Sequence, residues 1–375
     1  MYFERIFNLA RDVRPGKALV LYGPRQVGKS TLVDRFCEGF SGRVKKDTGE
    51  DLRIQELFAR QNPDALLEFV EDFQLWVIDE AQHVPGVGLG VKMLLDRRKD
   101  ISVIVTGSSS FKIAQSAGEP LVGRATVREL FPLSQGELLK AYNRAQLKAA
   151  LPSRLVYGSY PEVLLARSDA ARRAYLENFV NALLLKDILS LENLRSPQLL
   201  VKLLKLLAFQ VGQLVSYGEL ATQLGVNQRT VERYCDLLEK SFVVIRVTGF
   251  SRNLRKEVSK KAKYYFVDNG IRNAIVSQFN VLTSRTDVGQ LWENFVFVER
   301  LKKRTYGDIF GAAHFWRTHD GQEVDLVEDR DGAAFGYEFK WNPLAKAAAP
   351  RDWPKAATKT TWEVVHPGNY LDFVV

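Results

Sequence analysis

The sequence predicts an α/β fold, and three observations carry that expectation. The run Gly23-Pro24-Arg25-Gln26-Val27-Gly28-Lys29-Ser30-Thr31 follows a buried-looking strand, Ala18 to Tyr22, and opens a helical pattern continued by Leu32 and Phe36. A second apolar run, Gln74 to Ile78, ends on paired carboxylates, Asp79 and Glu80. A third core strand, starting at Ile101, runs into hydroxyls at Thr106, Ser108, Ser109 and Ser110. Apolar strands that end in polar residues, with helical stretches between them, read as an α/β core with its chemistry at the strands' carboxyl ends.

The glycine run explains itself chemically. Glycines let backbone N–H groups wrap around phosphate, and the following helix aims its positive end at the same anion. Lys29 reaches the β- and γ-phosphates and Ser30 ligates magnesium, so residues Gly23 to Thr31 form the expected nucleotide-binding loop. Asp79 is expected to hold the magnesium shell and Glu80 to polarise a water; the plain alternative is a strand end with solvated acids. Thr106 or Ser108 would sense the γ-phosphate or orient that water, although a helix N-cap explains the serines as well. Arg124 stands between Gly123 and the strand Ala125 to Phe131. It either makes a surface ion pair or projects from one subunit into a neighbour's nucleotide, neutralising transition-state charge.

Composition sets the wider bounds. With 375 residues, two to four domains are expected. Hydrophobic content of 46% and charged content of 26% are globular values. A net charge of +9 favours an anionic partner or serves solubility alone. Cys37 and Cys235 lie in unrelated segments and give neither a disulfide framework nor a metal box. The four histidines, His83, His314, His319 and His366, lack metal-ligand spacing. No apolar segment of signal length opens the sequence and none approaches a membrane span, so a reducing cytoplasm is the expected home.

Residues 152–200 are rich in Leu, Ala and Arg and read as helices joining one module to the next, with a turn at Pro161. From about 201 the pattern changes. Leu203, Leu206 and Leu207 begin one amphipathic helix, Leu220, Ala221 and Leu224 a second, and Val231, Tyr234, Cys235 and Leu238 mark the buried face of a third. The third offers Gln228, Arg229, Thr230 and Arg233 on its free N-terminal face, the composition a groove-reading helix needs. Between two β-like runs, Phe242 to Val247 and Tyr264 to Val267, lie Arg252, Arg255, Lys256, Lys260, Lys261 and Lys263, opposed only by Glu257. This is a winged-helix layout with a positive wing able to follow DNA phosphates; winged helices also serve as protein adaptors.

The last segment opens with a helix, Gly289 to Arg304, whose Glu293 sits one turn before Phe297 among apolar neighbours. Strands follow around His314 to Arg317, Glu323 to Val327 and Phe335 to Trp341, then a helix and a final strand, Thr361 to Val365. Alternation puts Glu338 and Lys340 on one face and Tyr337, Phe339 and Trp341 on the other. The order resembles the restriction-endonuclease-like core. That resemblance implies that Asp325, Glu338 and Lys340 hold magnesium and orient an attacking water, with Glu293 in the accessory helix slot. Domains of this kind also persist as binding scaffolds.

Taken along its length, the chain resembles the prokaryotic AAA-type ATP-binding proteins that carry a C-terminal domain of unknown function. The matching residues are the glycine run, Asp79-Glu80-Ala81-Gln82-His83, Thr106-Gly107-Ser108-Ser109, Gly123-Arg124, Tyr157-Gly158-Ser159-Tyr160-Pro161-Glu162, Lys186-Asp187-Ile188, Tyr265-Phe266-Val267-Asp268 and Glu338-Phe339-Lys340. The resemblance implies a P-loop AAA+-type ATPase core at 1–150, a helical lid at 151–200, a winged helix at 201–280 and a restriction-endonuclease-like domain at 285–375. It implies that Arg124 is the trans-acting finger, and it leaves Arg172 and Arg173 as candidates by location for a lid arginine. The expected activity is ATP hydrolysis with Mg2+ by an oligomer, a closed ring or filament, coupled to remodelling of duplex or branched DNA. The alternatives are a nucleotide-dependent switch that docks a protein, and a metal-dependent nuclease in which ATP is secondary.

Overall fold

Parallel strands buried on both faces need near-continuous apolar runs, and the first third of the chain supplies them. The computed structural model describes residues 2–108, 121–182, 197–250, 261–345, 347–355 and 357–375. They divide into two units, the first comprising Arg5–Pro132 with Lys240–Phe242, the second Met1–Glu4, Leu133–Glu239 and Val243–Val375.

The first unit is built on β1 (Ala18–Tyr22), β2 (Val44–Thr48), β3 (Leu75–Asp79), β4 (Ser102–Gly107) and β5 (Ala125–Glu129), in the order β2-β3-β4-β1-β5. Every neighbouring pair is parallel. Right-handed crossovers through helices such as Lys29–Glu38 and Val87–Arg97 are the usual way to join such strands. Val20, Trp76, Ile78, Val103 and Val105 fill the core with Phe58, whose ring stacks on Trp76 at 5.5 Å. Each such side chain removed from water contributes on the order of 2 kcal/mol.

Strand β2 is not among the strands expected from sequence. Its residues, Val-Lys-Lys-Asp-Thr, lack an apolar face because it is an edge strand. Its polar groups are used locally: the Lys45 ammonium lies 4.0 Å from the Phe69 ring centroid, and Trp76 Nε1 donates to Asp47 Oδ2 at 2.7 Å. The strand ending at Thr106 is therefore the fourth, and the strand after Arg124 is the fifth. The unit closes at Pro132, whereas the boundary expected at 150 falls inside the helix Arg144–Tyr157 of the second unit.

In the second unit most of the described residues expected to form a lid are helical, in Arg144–Tyr157, Pro161–Leu165 and Asp169–Ala182, joined by short non-helical turns. Residues 183–196, with Lys186-Asp187-Ile188, lie outside the described residues. Two quoted motifs meet here. The Asp268 carboxylate accepts from the N–H groups of Ser159 at 2.7 Å and Gly270 at 2.8 Å, capping the helix Asn269–Ile275. Gly158 adopts φ +74°, and a Cβ there would collide with the Asp268 carboxylate, which accounts for glycine before Ser159.

The three helices expected after 201 form as Pro197–Phe209, Tyr217–Leu224 and Gln228–Lys240, and the third buries Val231, Tyr234, Cys235 and Leu238. β6 (Leu214–Ser216), β7 (Val244–Gly249) and β8 (Lys261–Phe266) pair antiparallel as β7-β8-β6. β9 (Ala312–Arg317), β10 (Glu323–Arg330), β11 (Ala333–Phe339) and β12 (Lys359–Val365) follow the long helix Val288–Tyr306. The segments expected as separate domains at 201–280 and 285–375 share one seven-stranded sheet, β12-β11-β10-β9-β7-β8-β6. They join where β7 runs parallel to β9 through Thr248–His314 and Gly249–Phe315.

One expected helix is corrected. Between β11 and β12 the described residues contain a single 3-10 turn, Trp353–Lys355. Pro343, Pro350 and Pro354 remove N–H donors along this stretch and disfavour a continuous helix. The turn instead seats Trp353 on Gly336, where a Cβ would lie 2.7 Å from the indole.

Candidate functional site

At the carboxyl end of β1 the chain turns through Gly23 at φ +142°, Gln26 at φ +56° and Gly28 at φ +94° before the helix Lys29–Glu38 begins. Gly23 has no substitute, since a Cβ would run into the Leu130 carbonyl. Gly28 is the helix N-cap without a side-chain cap, so the first N–H groups of the helix open toward the loop. The Lys29 side chain is drawn inside the loop, donating to the carbonyls of Gly23 at 2.8 Å and Pro24 at 2.7 Å. Ser30 and Thr31 follow on the exposed side of the helix, and Arg25 and Val27 complete the loop.

The β3 end supplies the acids. Ser30 Oγ donates to Asp79 Oδ2 at 2.9 Å, while Asp79 Oδ1 accepts from Thr106 Oγ1 and from the Glu80 N–H at 3.0 Å. Glu80 sits at φ +49°, a costly backbone state for a residue with a Cβ, of the kind that collects at functional sites. Its Oε2 accepts from Gln82 Nε2, and Gln82 also bonds Ser108 through Oγ and N–H, each at 3.3 Å. A loop lysine, a hydroxyl paired with a carboxylate, and a second carboxylate held by an amide thus converge at one edge of the sheet. The hard oxygens of Ser30 and Asp79 are a fitting donor pair for Mg2+.

Thr106 and Ser108 therefore touch the acids directly and through Gln82, while Ser109 and Ser110 lie outside the described residues. Beside Ser30 and Asp79, toward β2, a cavity of about 380 Å3 is lined by Thr106, Asp47, Asp51 and Arg53. Arg124 precedes β5 and pairs with Asp96 at 2.7 Å, half-exposed. Arg172 and Arg173 pair within their own helix, with Asp169 and Glu177.

Of the DNA-binding candidates, Gln228, Arg229 and Arg233 are exposed. Thr230 is committed to its own helix, its N–H and hydroxyl both donating to Asn227 Oδ1. Arg252, Arg255, Lys256 and Lys260 lie outside the described residues. Lys261 is exposed, and Lys263 corrects the expectation: only 2% exposed, it cannot meet a DNA phosphate. It lies two residues inside β8, past the exposed start of the strand, and pairs with Glu323 at 2.7 Å, Glu293 at 3.2 Å and Asp325 at 3.8 Å.

The structure does gather Glu293, Asp325, Glu338 and Lys340, with Lys263, Tyr265 and Glu323 added. Tyr265 OH donates to Glu293 Oε1 at 2.8 Å, the Phe339 N–H to Asp325 Oδ2 at 2.8 Å, and Lys340 Nζ to Glu338 Oε1 at 2.5 Å. Burial, reinforced by Asp325, pushes the Glu293 carboxyl up to about 7; burial likewise raises Asp325 and Glu338. Burial opposes the charge on Lys263, but Glu293, Asp325 and Glu323 outweigh it and hold the ammonium above its ordinary range. The magnesium expected from the endonuclease-like resemblance does not fit this arrangement. Among the described residues no group of three or more His, Cys, Asp or Glu side chains is placed to hold a metal ion, and the three carboxylates that do converge do so on the Lys263 ammonium.

Comparison with known proteins bears on the first unit most directly. Residues 15–139 match the family described as AAA domain. The match covers the phosphate loop, Asp79, Glu80 and Arg124. Residues 148–282 and 288–369 match two domains of unknown function, DUF8612 and DUF4143. An uncharacterized protein of Mycobacterium tuberculosis is 28% identical over 345 residues, covering 89% of this chain and 72% of its own length. One of Haemophilus influenzae is 25% identical over 336 residues, covering 82% and 78%. A solved structure, the Walker-type ATPase of Pyrococcus abyssi, is similar with TM-score 0.45 and 16% identity, covering 69% of this chain and 91% of that one. Among the described residues no helix is long and apolar enough to cross a membrane.

Sequence reasoning missed two supports of the phosphate-loop region. Arg5, 5% exposed, braces the phosphate loop by donating to the carbonyls of Val27 at 2.8 Å and Phe131 at 2.6 Å. Glu129 pairs in register with Tyr22, next to the loop. Burial pushes Glu129 up to about 7, and the Tyr22 hydrogen bond offsets only part of that. A carboxyl raised in the folded state contributes stability that is fully present below the unfolded value of 4.5 and is lost as pH rises through about 7. Glu129→Gln removes this titration. Denaturant unfolding at pH 5 and pH 8 is therefore expected to show wild type losing on the order of 2 kcal/mol relative to the variant. Equal losses in both proteins would refute the assignment.

Proposed function

We propose that the chain is a Mg2+-dependent ATP hydrolase that works as an oligomer and couples turnover to DNA held by its second unit. The observation that carries the reading is the Ser30–Asp79 pair at 2.9 Å beside a lysine enclosed in the phosphate loop. Ser30 and Asp79 would hold Mg2+, which supplies charge neutralisation at the β- and γ-phosphate oxygens. Lys29 exchanges the Gly23 and Pro24 carbonyls for phosphate oxygens of ATP, and the loop N–H groups bind the remainder. Gln82 occupies Glu80 Oε2, which leaves Oε1 to take a proton from the attacking water. The water oxygen bonds the γ-phosphorus, the bond to the bridging oxygen breaks, and ADP leaves. Thr106 orients Asp79, and Arg124 leaves Asp96 to reach a neighbouring subunit's nucleotide, giving a closed ring or filament.

The DNA partner is supported by the net charge of +9 and by exposed Gln228, Arg229, Arg233 and Lys261. The test is ATP turnover measured against protein concentration, with and without linear and branched duplexes, at low and high salt. Turnover per subunit is expected to rise with concentration and with DNA, and the DNA effect to shrink in salt. Absence of both stimulation and salt-sensitive binding would replace this reading with a nucleotide-dependent adaptor for a protein.

A further inference from the structure

We infer that Lys263 is the resident cation of the terminal carboxylate cluster, an internal ammonium that neutralises Glu323, Glu293 and Asp325 beside the Asp325 and Glu338 carboxylates to which the nuclease-like resemblance would assign a divalent metal. The inference concerns the second unit alone and is independent of ATP hydrolysis. The ammonium reaches three carboxylates, Glu323 at 2.7 Å, Glu293 at 3.2 Å and Asp325 at 3.8 Å, while its side chain is 2% exposed. A group so enclosed does not exchange readily with solvent ions, and removing a buried charge from its partners is costly.

Part of the remaining carboxylate capacity is also engaged. Glu293 accepts from Tyr265 OH, Asp325 from the Phe339 N–H, and Glu338 from Lys340. Hard divalent cations want several oxygens at about 2.0–2.6 Å around one point. Here the point shared by Glu293, Glu323 and Asp325 is filled by a nitrogen with its own hydrogen atoms. The carboxylates remain partly open to water, Glu323 at 29% and Asp325 at 13%, so an ion could reach them if the ammonium were gone. The cation arrives on β8, from the segment expected to read DNA, and the acids on β10 and the helix Val288–Tyr306. The cluster thereby fastens those elements to one another. On this account the second unit binds without cutting by a metal-dependent route.

The experiment is calorimetric titration of the full, nucleotide-free chain with Mn2+, run on wild type, K263M, K263M/D325N and E338Q. Supercoiled plasmid is incubated with wild type and Mn2+ in parallel. Wild type is expected to show no Mn2+ site that E338Q removes and no plasmid cleavage. K263M is expected to gain one Mn2+ site at least tenfold tighter than any in wild type, and K263M/D325N to lose it. A wild-type Mn2+ site lost in E338Q, or wild-type cleavage lost in E338Q, overturns the inference. So does a K263M chain that is folded by circular dichroism yet binds no Mn2+. Should K263M fail to fold, the wild-type and E338Q measurements still decide, since a metal-free, non-cutting wild type upholds the inference and a metal-binding one ends it.

Discussion

Glu80→Gln is expected to lower ATP turnover by roughly 100-fold or more while leaving ATP binding in place. The glutamine keeps the size of the side chain and can still bond Gln82, so the strained turn at φ +49° is retained. What it loses is the oxygen that accepts a proton from water. Lys29→Ala separates binding from chemistry. That side chain lies inside the loop against the Gly23 and Pro24 carbonyls, and its removal is expected to abolish binding as well as turnover. Steady-state hydrolysis together with direct titration of ATP distinguishes the two. Hydrolysis at the parental rate in Glu80→Gln would remove Glu80 from its role as base.

Glu328→Ala is expected to destabilise the second unit by about 3–5 kcal/mol, the cost of stripping a buried charge cluster of its opposing partner. Glu328 is fully buried and accepts from Arg300 Nε at 2.7 Å and Nη2 at 3.0 Å, with Arg330 at 3.2 Å and Arg304 at 3.6 Å. Arg300 is further committed, donating to the Phe373 carbonyl at 2.8 Å and lying 4.4 Å from the Phe373 ring centroid. Without the carboxylate, three guanidinium groups are left together in a poorly hydrated space. Calorimetry should show the second unit melting roughly 6–20 °C lower. A shift within about 2 °C would mean that the arginines find other partners.

Much of the first unit was legible because its signals are local. The strand Ala18–Tyr22 falls where its apolar run places it, and the loop, Asp79 and Glu80 meet because parallel strands bring their carboxyl ends to one edge. The polar edge strand Val44–Thr48 was not legible, since a strand half open to water carries no apolar period. Gln82 could have been noticed inside the Asp79 to His83 motif, but its bonds to Glu80 and Ser108 are tertiary facts. Arg5 gave no signal at all. Lys263 misled in a characteristic way. It stands in a run of basic residues and shares a strand face with Lys261, but Lys261 sits at the exposed start of β8 whereas Lys263 lies where Glu293 and Glu323 on other elements enclose it. The helix expected between β11 and β12 failed for a local reason, its prolines, that could have been weighed from sequence.

The junction of β7 with β9 bears on how the polypeptide can be divided. Cutting the gene near residue 285 would leave β9 with a bare flank and would separate Glu293, Glu323 and Asp325 from the ammonium on β8. The shorter product would carry an adhesive strand edge beside uncompensated acids, a combination that favours clumping in solution. Its partner, ending before the long helix, would keep a lysine with nothing to neutralise it. Neither half is then a self-sufficient protein, and inheritance of the two as a single piece follows from their chemistry.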